Sequence, residues 1–437
     1  MNDQKNITTS GADYPDSWYA ASVALPDAAP SLSGALDVDV CVIGAGYTGL
    51  SSAIHLARQG KKVALLEAER AGWGASGRNG GHVGTGQRVD QEVLEKQLGM
   101  ETAKQLWQLG LDAVQLVSNL ISDYKIDCEL GSGNLHFAAK PSHSSEIEEE
   151  VAHLNAVYGY DQISFVAKKD IGHYTSAQGF YGGSYDRGAK HLHPLKYALG
   201  LRAAAFSEGV QLFEKTPALN YKTTNNRIVA TTPSGSITAD RVVMACNGYL
   251  EKLCPTIAPN IMPINNFIVA SEPLSDELAD QVNRYRTSLS DTLFVINYWK
   301  LSNDNRMIFG GGENYSRRFP SDIINFVRPK LLKIHPDLAN TRLEYGWGGT
   351  LAITLNRMPD IGVVKERVFY AQGFSGHGVP TATMAGKLIA DAILGDCGNF
   401  DVMRGLPTRA FPGGTLLRWP GLVAGMLFYS LRDRLGR

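Results

Sequence analysis

A chain of 437 residues is too long for one compact core and suits two domains. Hydrophobic residues make up 44% and charged residues 19%, the balance of a soluble globular protein. Basic and acidic side chains nearly cancel (42 against 43, net charge −1), which argues against nucleic acid as a partner. The first 36 residues are polar and Pro-containing, without the basic start and apolar core of a signal peptide. They read as a loosely held arm that Trp18 and Tyr19 could pin to the body. Five scattered cysteines (Cys41, Cys128, Cys246, Cys254, Cys397) form no CxxC pair. They fit small core residues in a reduced, cytoplasmic compartment.

Val40, Val42 and Ile43 form an apolar run that predicts a buried parallel strand. It runs into Gly44-Ala45-Gly46-Tyr47-Thr48-Gly49. Leu50, Ala53, Ile54 and Ala57 follow at helical spacing, and Gly60 stops the helix. A second strand, Val63–Leu66, ends on Glu67. Gly44 permits the turn, Gly46 lets a pyrophosphate reach the helix N-terminus, and Gly49 lets helix and strand pack. Glu67 falls where a carboxylate accepts ribose hydroxyls, about 20 residues on. A dinucleotide is therefore expected here.

Ala71 to Gln87 holds seven glycines together with Ser76, Arg78 and Asn79. So many glycines make neither a stable helix nor a strand. A backbone lying against a flat ligand accounts for them, and the place directly after the ribose strand suits a buried flavin better than a nicotinamide. Gln91–Tyr124 is helical, Cys128–Ala139 alternates as a strand, and Ser145–Tyr158 is helical with a solvated acidic face. This block opens a second domain of mixed helix and sheet. The chain returns to the first domain with a helix from Pro194 and a strand at Val210–Phe213. Ile228–Thr232 and Ser236–Ala239 suggest a hairpin, and Asp240–Ala245 a buried strand ending at Asn247-Gly248. Met262–Glu272 and Thr292–Gly312 suggest antiparallel strands of the second domain, with a helix over Asp322–Ile334. Val368–Ala371 is a strand, Gly373-Phe374-Ser375-Gly376-His377-Gly378 a glycine loop, and Thr381–Leu394 a small-residue helix. Its N-terminus would stabilise negative charge on a reduced flavin. From Leu416 to Tyr429 the chain is apolar but interrupted by Arg418 and Pro420. Packing on the body is expected, with weak membrane-surface contact the alternative.

The expected fold class is α/β, a Rossmann-type FAD-binding domain with a mixed-sheet α+β substrate domain. The FAD-binding domain takes residues 37–90, 187–260 and 345–400; the substrate domain takes 91–186 and 261–344. Residues 1–36 are the arm, and 401–437 a C-terminal segment packed on the body. Oligomeric state is left open.

Gly44-x-Gly46-x-x-Gly49 with Glu67, Gly74-Ala75-Ser76-Gly77-Arg78-Asn79-Gly80-Gly81, and Gly373-x-Ser375-Gly376-His377-Gly378 together resemble the D-amino-acid oxidase family of FAD-dependent amine oxidoreductases. That family includes glycine oxidase and sarcosine oxidase. Tyr124–Cys128, His191–Pro194, Pro329–Lys333, Trp347, Leu355–Pro359, Phe411–Gly414 and Tyr429–Gly436 resemble a branch that acts on γ-glutamylated amines. The resemblance implies Gly44, Ala45, Gly46, Tyr47, Thr48 and Gly49 around the pyrophosphate, with Glu67 and Ala68 at the adenosine ribose. Ser76, Arg78, Asn79, Gly80, Gly81 and His82 would line the pyrophosphate and flavin ring. Ala218 would meet adenine through its backbone. Asn247, Gly248 and Trp347 would lie near the flavin, with Gly373, Ser375, Gly376, His377, Gly378 and Val379 at its pyrimidine end. With no cysteine beside Trp347 or Gly376, FAD is expected to be non-covalent.

The implied partners are a small-molecule amine, γ-glutamylated, and oxygen or an electron carrier. A site that removes hydride from carbon beside a neutral amine needs desolvation and orientation more than a catalytic dyad. None announces itself here. His377, His82 and Trp347 are the catalytic candidates, His377 reading more readily as a structural or flavin contact than as a proton carrier. His191 and His193 look like positioning residues, and no spacing matches a metal site. Tyr298, Trp299, Arg317 and Arg318 could touch substrate, though each is read more readily as an ordinary core or surface residue. The alternatives are oxidation of a secondary amine or small amino acid, and a flavin-binding protein without turnover.

Overall fold

The computed structural model describes residues 13–224, 226–314 and 318–421. The first apolar run becomes the inner end of a strand, Gly34–Ile43, lying parallel between Gly235–Met244 and Val63–Leu66. Val40, Val42 and Ile43 are buried, as a strand covered on both faces requires. Val368–Gln372 and Gln211–Phe213 extend the sheet in parallel on either side. The expected hairpin arm at Ser236–Ala239 and the buried strand after it are one continuous strand. Its first half pairs antiparallel with Arg227–Thr231.

Tyr47–Arg58 packs against Gly378–Leu394 and Pro194–Ser207. The first of these contacts is close because Gly386 has no Cβ: one would lie 2.4 Å from the Thr48 carbonyl oxygen. Ser51 and Ser52 donate across it to the carbonyls of Thr383 (2.7 Å) and Gly386 (3.0 Å).

A second, nine-stranded sheet runs in the order Leu343–Ile353, Met262–Pro273, Arg306–Asn314, Tyr298–Leu301, Ser288–Asp291, Gly131–Phe137, Gly182–His191, His82–Val83, with Ile163–Ala167 off Gly182–His191. Its outer face buries Phe137, Phe267, Trp299 and Phe309 with the helix Ile323–Ile334. Two of its strands cross the expected domain boundaries: Gly182–His191 runs past 187, and Leu343–Ile353 starts before 345. The helical stretch after Gln91 also lies elsewhere than expected. Gly99, at φ +84°, breaks it, and Met100–Asp123 packs its apolar face (Leu106, Ala113, Val117, Leu120) into the core of the first sheet.

The arm is not loosely held over residues 13–33. Tyr14, Trp18 and Tyr19 are buried with Leu195, Ile268, Ile308 and Trp347. Glu214, fully buried, accepts from the amides of Ala29 and Ala71 and pairs with Arg70 and Arg202. At the other end, Phe411 and Trp419 pack beside Ile264 and Ile353, and Arg418 donates to the carbonyls of Ala258 and Ile261. Residues 422–437, which include the expected apolar stretch from 422 to Tyr429, lie outside the described residues. Among those described, no helix is long and apolar enough to cross a membrane. Cys41, Cys128 and Cys254 are buried, as expected of core thiols, whereas Cys397 is exposed.

Candidate active site

The site begins where the first strand ends. Gly44 sits at φ +104°, and a Cβ there would meet the Ala245 carbonyl oxygen at 2.7 Å. A Cβ on Gly49 would fall 1.8 Å from the Gly44 carbonyl oxygen, so strand and helix meet only through glycine. Gly46 caps the helix without a side chain, leaving the helix N-terminus accessible to an anion with Thr48 buried beneath. Ser76 reaches across to it: its Oγ accepts from the Tyr47 amide at 3.0 Å. Glu67 lies at the end of the second strand, accepting from the amides of Ala45 (2.7 Å) and Glu69 (2.9 Å). Burial pushes its carboxyl up to about 7 despite these bonds. Exposed Ala68 follows. Lys215 and Thr216 donate their amides to Glu69 and Glu67, which brings partly buried Ala218 to this end of the cradle.

The first glycine loop then bridges the two sheets. Asn79 binds its own loop, donating to the carbonyls of Ala75 (3.0 Å) and Ser76 (2.9 Å) and accepting from the Gly81 amide (2.7 Å). Its side chain therefore shapes the loop. Arg78 turns into the protein, over the Trp73 ring at 4.0 Å, and donates to the carbonyls of Trp73 and Gly348. Trp347 closes the link by donating Nε1 to the Arg78 carbonyl at 3.1 Å. Gly80 lies against Tyr298, whose ring would be 2.6 Å from a Cβ. Gly81, at φ +76°, accepts from the Leu192 amide, and His82–Val83 joins the second sheet opposite His191 and Lys190.

The second glycine loop closes the other side. Asn247, at φ +46°, accepts from the Gly373 amide at 2.9 Å, and Gly248 packs beside the Leu351 carbonyl. Ser375 adopts φ +51° and ties to the strand beside it: its amide donates to the Ala352 carbonyl, and its Oγ accepts from the Thr354 amide. Gly376 follows at φ +93°, and the helix Gly378–Leu394 starts with no side-chain cap, burying Val379 in its first turn. His377 turns back to the first loop, where a Cβ on Gly84 would meet its ring at 2.9 Å. The two glycine loops, far apart in sequence, touch.

Arg78 Nη2, His82 Nε2 and His377 Nε2 are buried around these loops without a hydrogen-bond partner among the described residues. Buried polar atoms of this kind fit a polar ring. Together with a helix N-terminus, a carboxylate at the ribose position and glycine-lined walls, the residues present fit FAD.

Burial holds His82 at about 3 and His377 at about 4, with Lys300 and Arg88 adding repulsion, so both imidazoles are neutral at physiological pH. Among the described residues, no carboxylate–imidazole pair faces the loops. His193 caps the helix after it, its Nδ1 accepting from the Lys196 amide, and His191 bonds the Arg286 carbonyl, so both position backbone. Trp299 is core, stacked between Phe180 and Phe309 on the far face of the sheet, and cannot touch substrate. Its neighbour Tyr298 points the other way, to Gly80 and His82. Arg318 lies in a described stretch, while Arg317 lies outside the described residues. Sequence reading missed that Tyr19 packs edge-on against Trp347. It also missed Lys300, which is buried, donates to the Leu192 carbonyl, and is held near 8 by burial.

Fold and site define a flavin-dependent oxidoreductase. The FAD dependent oxidoreductase family matches residues 39–392, and the chain belongs to that family, with FAD as its cofactor. It is 37% identical to the gamma-glutamylputrescine oxidoreductase of Escherichia coli (strain K12) over 425 residues, 97% of this chain and 99% of that one. It is 38% identical to a probable oxidoreductase, OrdL, of Rhizobium meliloti (strain 1021) over 418 residues, 96% of this chain and 97% of that one. Among solved structures, glycine oxidase from Geobacillus kaustophilus shares the fold, with TM-score 0.69, 21% identity, and coverage of 82% of this chain and 95% of that chain.

Proposed function

We propose that this protein oxidises a primary amine, γ-glutamylputrescine, to γ-glutamyl-aminobutyraldehyde and ammonia. The observation that carries this reading is the similarity to the Escherichia coli enzyme across nearly the whole of both chains, substrate domain included. Bound FAD supplies the acceptor for the hydride that leaves the carbon next to nitrogen. The resulting imine takes up water and releases ammonia.

What the chain contributes is a cradle and an environment. Gly44 to Gly49 and Ser76 hold the pyrophosphate, Glu67 the ribose, and the loops at Arg78–His82 and Gly373–Val379 the ring. Neutral His82 and His377 place no charge beside the amine, and desolvation favours the free base that hydride loss requires. Orientation by Tyr298 and Trp347 replaces an acid–base dyad. FAD is held without a covalent bond. Cys246, which precedes Asn247, turns its thiol to the Ile43 carbonyl. Acid precipitation should therefore leave a colourless pellet and a yellow supernatant.

Anaerobic titration of the holoenzyme with γ-glutamylputrescine, putrescine, sarcosine and glycine tests the substrate. The first should bleach the visible flavin absorbance and release one ammonia per flavin. Bleaching by sarcosine or glycine but not by γ-glutamylputrescine would overturn the reading. In air, peroxide release against reduction of a dye tells oxygen from an electron carrier.

A further inference from the structure

The second sheet turns unlike faces to its two sides. On Gly131–Phe137, Ser288–Asp291 and Tyr298–Leu301, the side chains of Leu135, Phe137, Leu289 and Trp299 enter the outer core. The alternate positions face the glycine loops and are polar. Register sets them in one row across four strands: Tyr298 opposite Ser290, Ser290 opposite His136, and His136 opposite Ser184. A face that met only protein core would carry apolar side chains here.

Tyr298 stands at the flavin end of this row, against Gly80 and His82. His136 stands two strands further out, about 10 Å away. It is partly exposed, its Nδ1 bonded to the Ser290 hydroxyl at 2.8 Å and its Nε2 neither bonded nor enclosed among the described residues. Burial holds the imidazole at about 4, so it is neutral at physiological pH. With Ser290 donating to Nδ1, the ring proton sits on Nε2 and points to the cleft.

Arg88 reaches the same region from the first glycine loop. The chain leading to it follows the edge of Gly182–His191: His82 pairs with His191, Val83 with Lys190, and Thr85 donates to the Asp186 carboxylate at 2.5 Å. Arg88 Nε donates to the Ser375 carbonyl at 3.2 Å, which ties the side chain to the second glycine loop. Arg88 is exposed, and among the described residues no carboxylate lies within ion-pair distance of its guanidinium. Asp90, the acidic group that bears on it, is exposed too. The carboxylates nearest the row are engaged elsewhere, Asp186 by Thr85 and Tyr160, and Asp291 by Asn297. The charge of Arg88 bears on both His377 and His136, in keeping with a place between the second glycine loop and the far end of the row.

We propose that Arg88 and His136 select the γ-glutamyl end of the substrate: the amine lies at the flavin beside Tyr298, the chain crosses Ser290, His136 donates Nε2–H to the amide carbonyl, and Arg88 pairs with the distal carboxylate. This deepens the proposed function and rests on it. The lengths agree. In γ-glutamylputrescine the reacting carbon and the carboxylate are separated by as many bonds as three extended residues span, about 10 Å. In glycine the carboxylate is one bond from the reacting carbon and could not reach both ends of the row.

The full-length holoenzyme is assayed with γ-glutamylputrescine and with N-acetylputrescine, which shares the amine and the amide but lacks the carboxylate. Wild type should show the higher kcat/KM with the first. Arg88→Met should shrink that preference about ten- to hundredfold, chiefly through KM, because the bond it removes is made equally before and during hydride loss. Arg88→Lys should keep part of it. His136→Phe should lower kcat/KM for both substrates alike, since both carry the amide. The preference is a ratio within one protein, so loss of folded enzyme does not change it. A preference that survives Arg88→Met would overturn the proposal, as would a wild-type enzyme that takes N-acetylputrescine equally well. A wild-type enzyme whose flavin is reduced by glycine or sarcosine but not by γ-glutamylputrescine would instead overturn the function on which the proposal rests.

Discussion

Gly46 and Gly49 stand three residues apart in one motif and do different things. At Gly49 the limit is backbone on backbone: a Cβ would lie 1.8 Å from the Gly44 carbonyl oxygen, and neither helix nor strand can move independently. Gly49→Ala should therefore unseat the helix, lowering stability by about 3 kcal/mol or more. At Gly46 the obstacle is the Ser76 hydroxyl, 2.9 Å from a Cβ, which can rotate away at the loss of its bond from the Tyr47 amide. Gly46→Ala should lower the unfolding free energy of the FAD-free chain by no more than about 1 kcal/mol while weakening FAD binding. Chemical denaturation and FAD titration of both variants separate the two roles. Equal effects of both substitutions on both readouts would contradict this division. His82 and His377 also differ from what their positions in glycine loops suggest. Burial keeps both neutral, so the pH profile of turnover should show no step attributable to either between pH 5 and 8. A step in that range that His377→Gln removes would assign His377 to proton transfer.

Among the elements, the arm and the turn after the second strand are joined by one carboxylate. Glu214 is fully buried between Arg70 and Arg202, themselves almost fully buried, and it also takes the amides of Ala29 and Ala71. These partners hold its carboxyl below the usual range against the opposing effect of burial. Glu214→Ala leaves the buried Arg202 guanidinium without its carboxylate and Arg70 with Asp13 alone, and should cost about 3–5 kcal/mol. Amide exchange over residues 13–33 and around Ala71 should accelerate more than in the second sheet. Uniform acceleration across both sheets would mean that Glu214 acts on the fold at large. This carboxylate was not legible in the sequence. It follows a predicted strand with nothing local to mark it, and its partners lie from 12 to 185 residues away. The strand Leu343–Ile353 was missed for a related reason. Gly346, Gly348 and Gly349 dilute its apolar pattern, and only pairing with Met262–Pro273 makes it a strand.

For the molecule as a whole, buried neutral imidazoles set the response to acid. His191 and His193 are held at about 3 and about 2 by burial, against 6.5 unfolded. In that interval the unfolded chain binds more protons than the folded one. Their contribution is therefore complete above about pH 6.5 and is lost as pH falls toward 3. His82, His136 and His377 act in the same sense. Glu67 and Glu150, raised to about 7, act oppositely between 4.5 and 7, but the imidazoles outnumber them. The melting temperature of the holoenzyme should be level above pH 7 and drop steeply below 6. A melting temperature unchanged from pH 7 to pH 5 would contradict the burial of these histidines as neutral groups.

The nucleotide cradle was written locally. Turn geometry, close approach and helix start are properties of neighbouring residues, so Gly44 to Gly49, Glu67, the glycine loop after it and the loop at Gly373–Gly378 could each be read in place. Even the flavin reading followed from the order of these loops along the chain. What the sequence could not decide was which face each remaining residue presents and to whom. Tyr298 and Trp299 are adjacent and equally aromatic, yet the pleat sends one to the glycine loop and the other into the core. Asn79 was expected to touch cofactor, and its side chain is used within its own loop. The arm carries polar, Pro-containing sequence that reads as loose. It is held to the body because Tyr14, Trp18 and Tyr19 meet residues up to about 330 positions away. Contacts between distant segments have no period along the chain, and only the folded sheets bring them together.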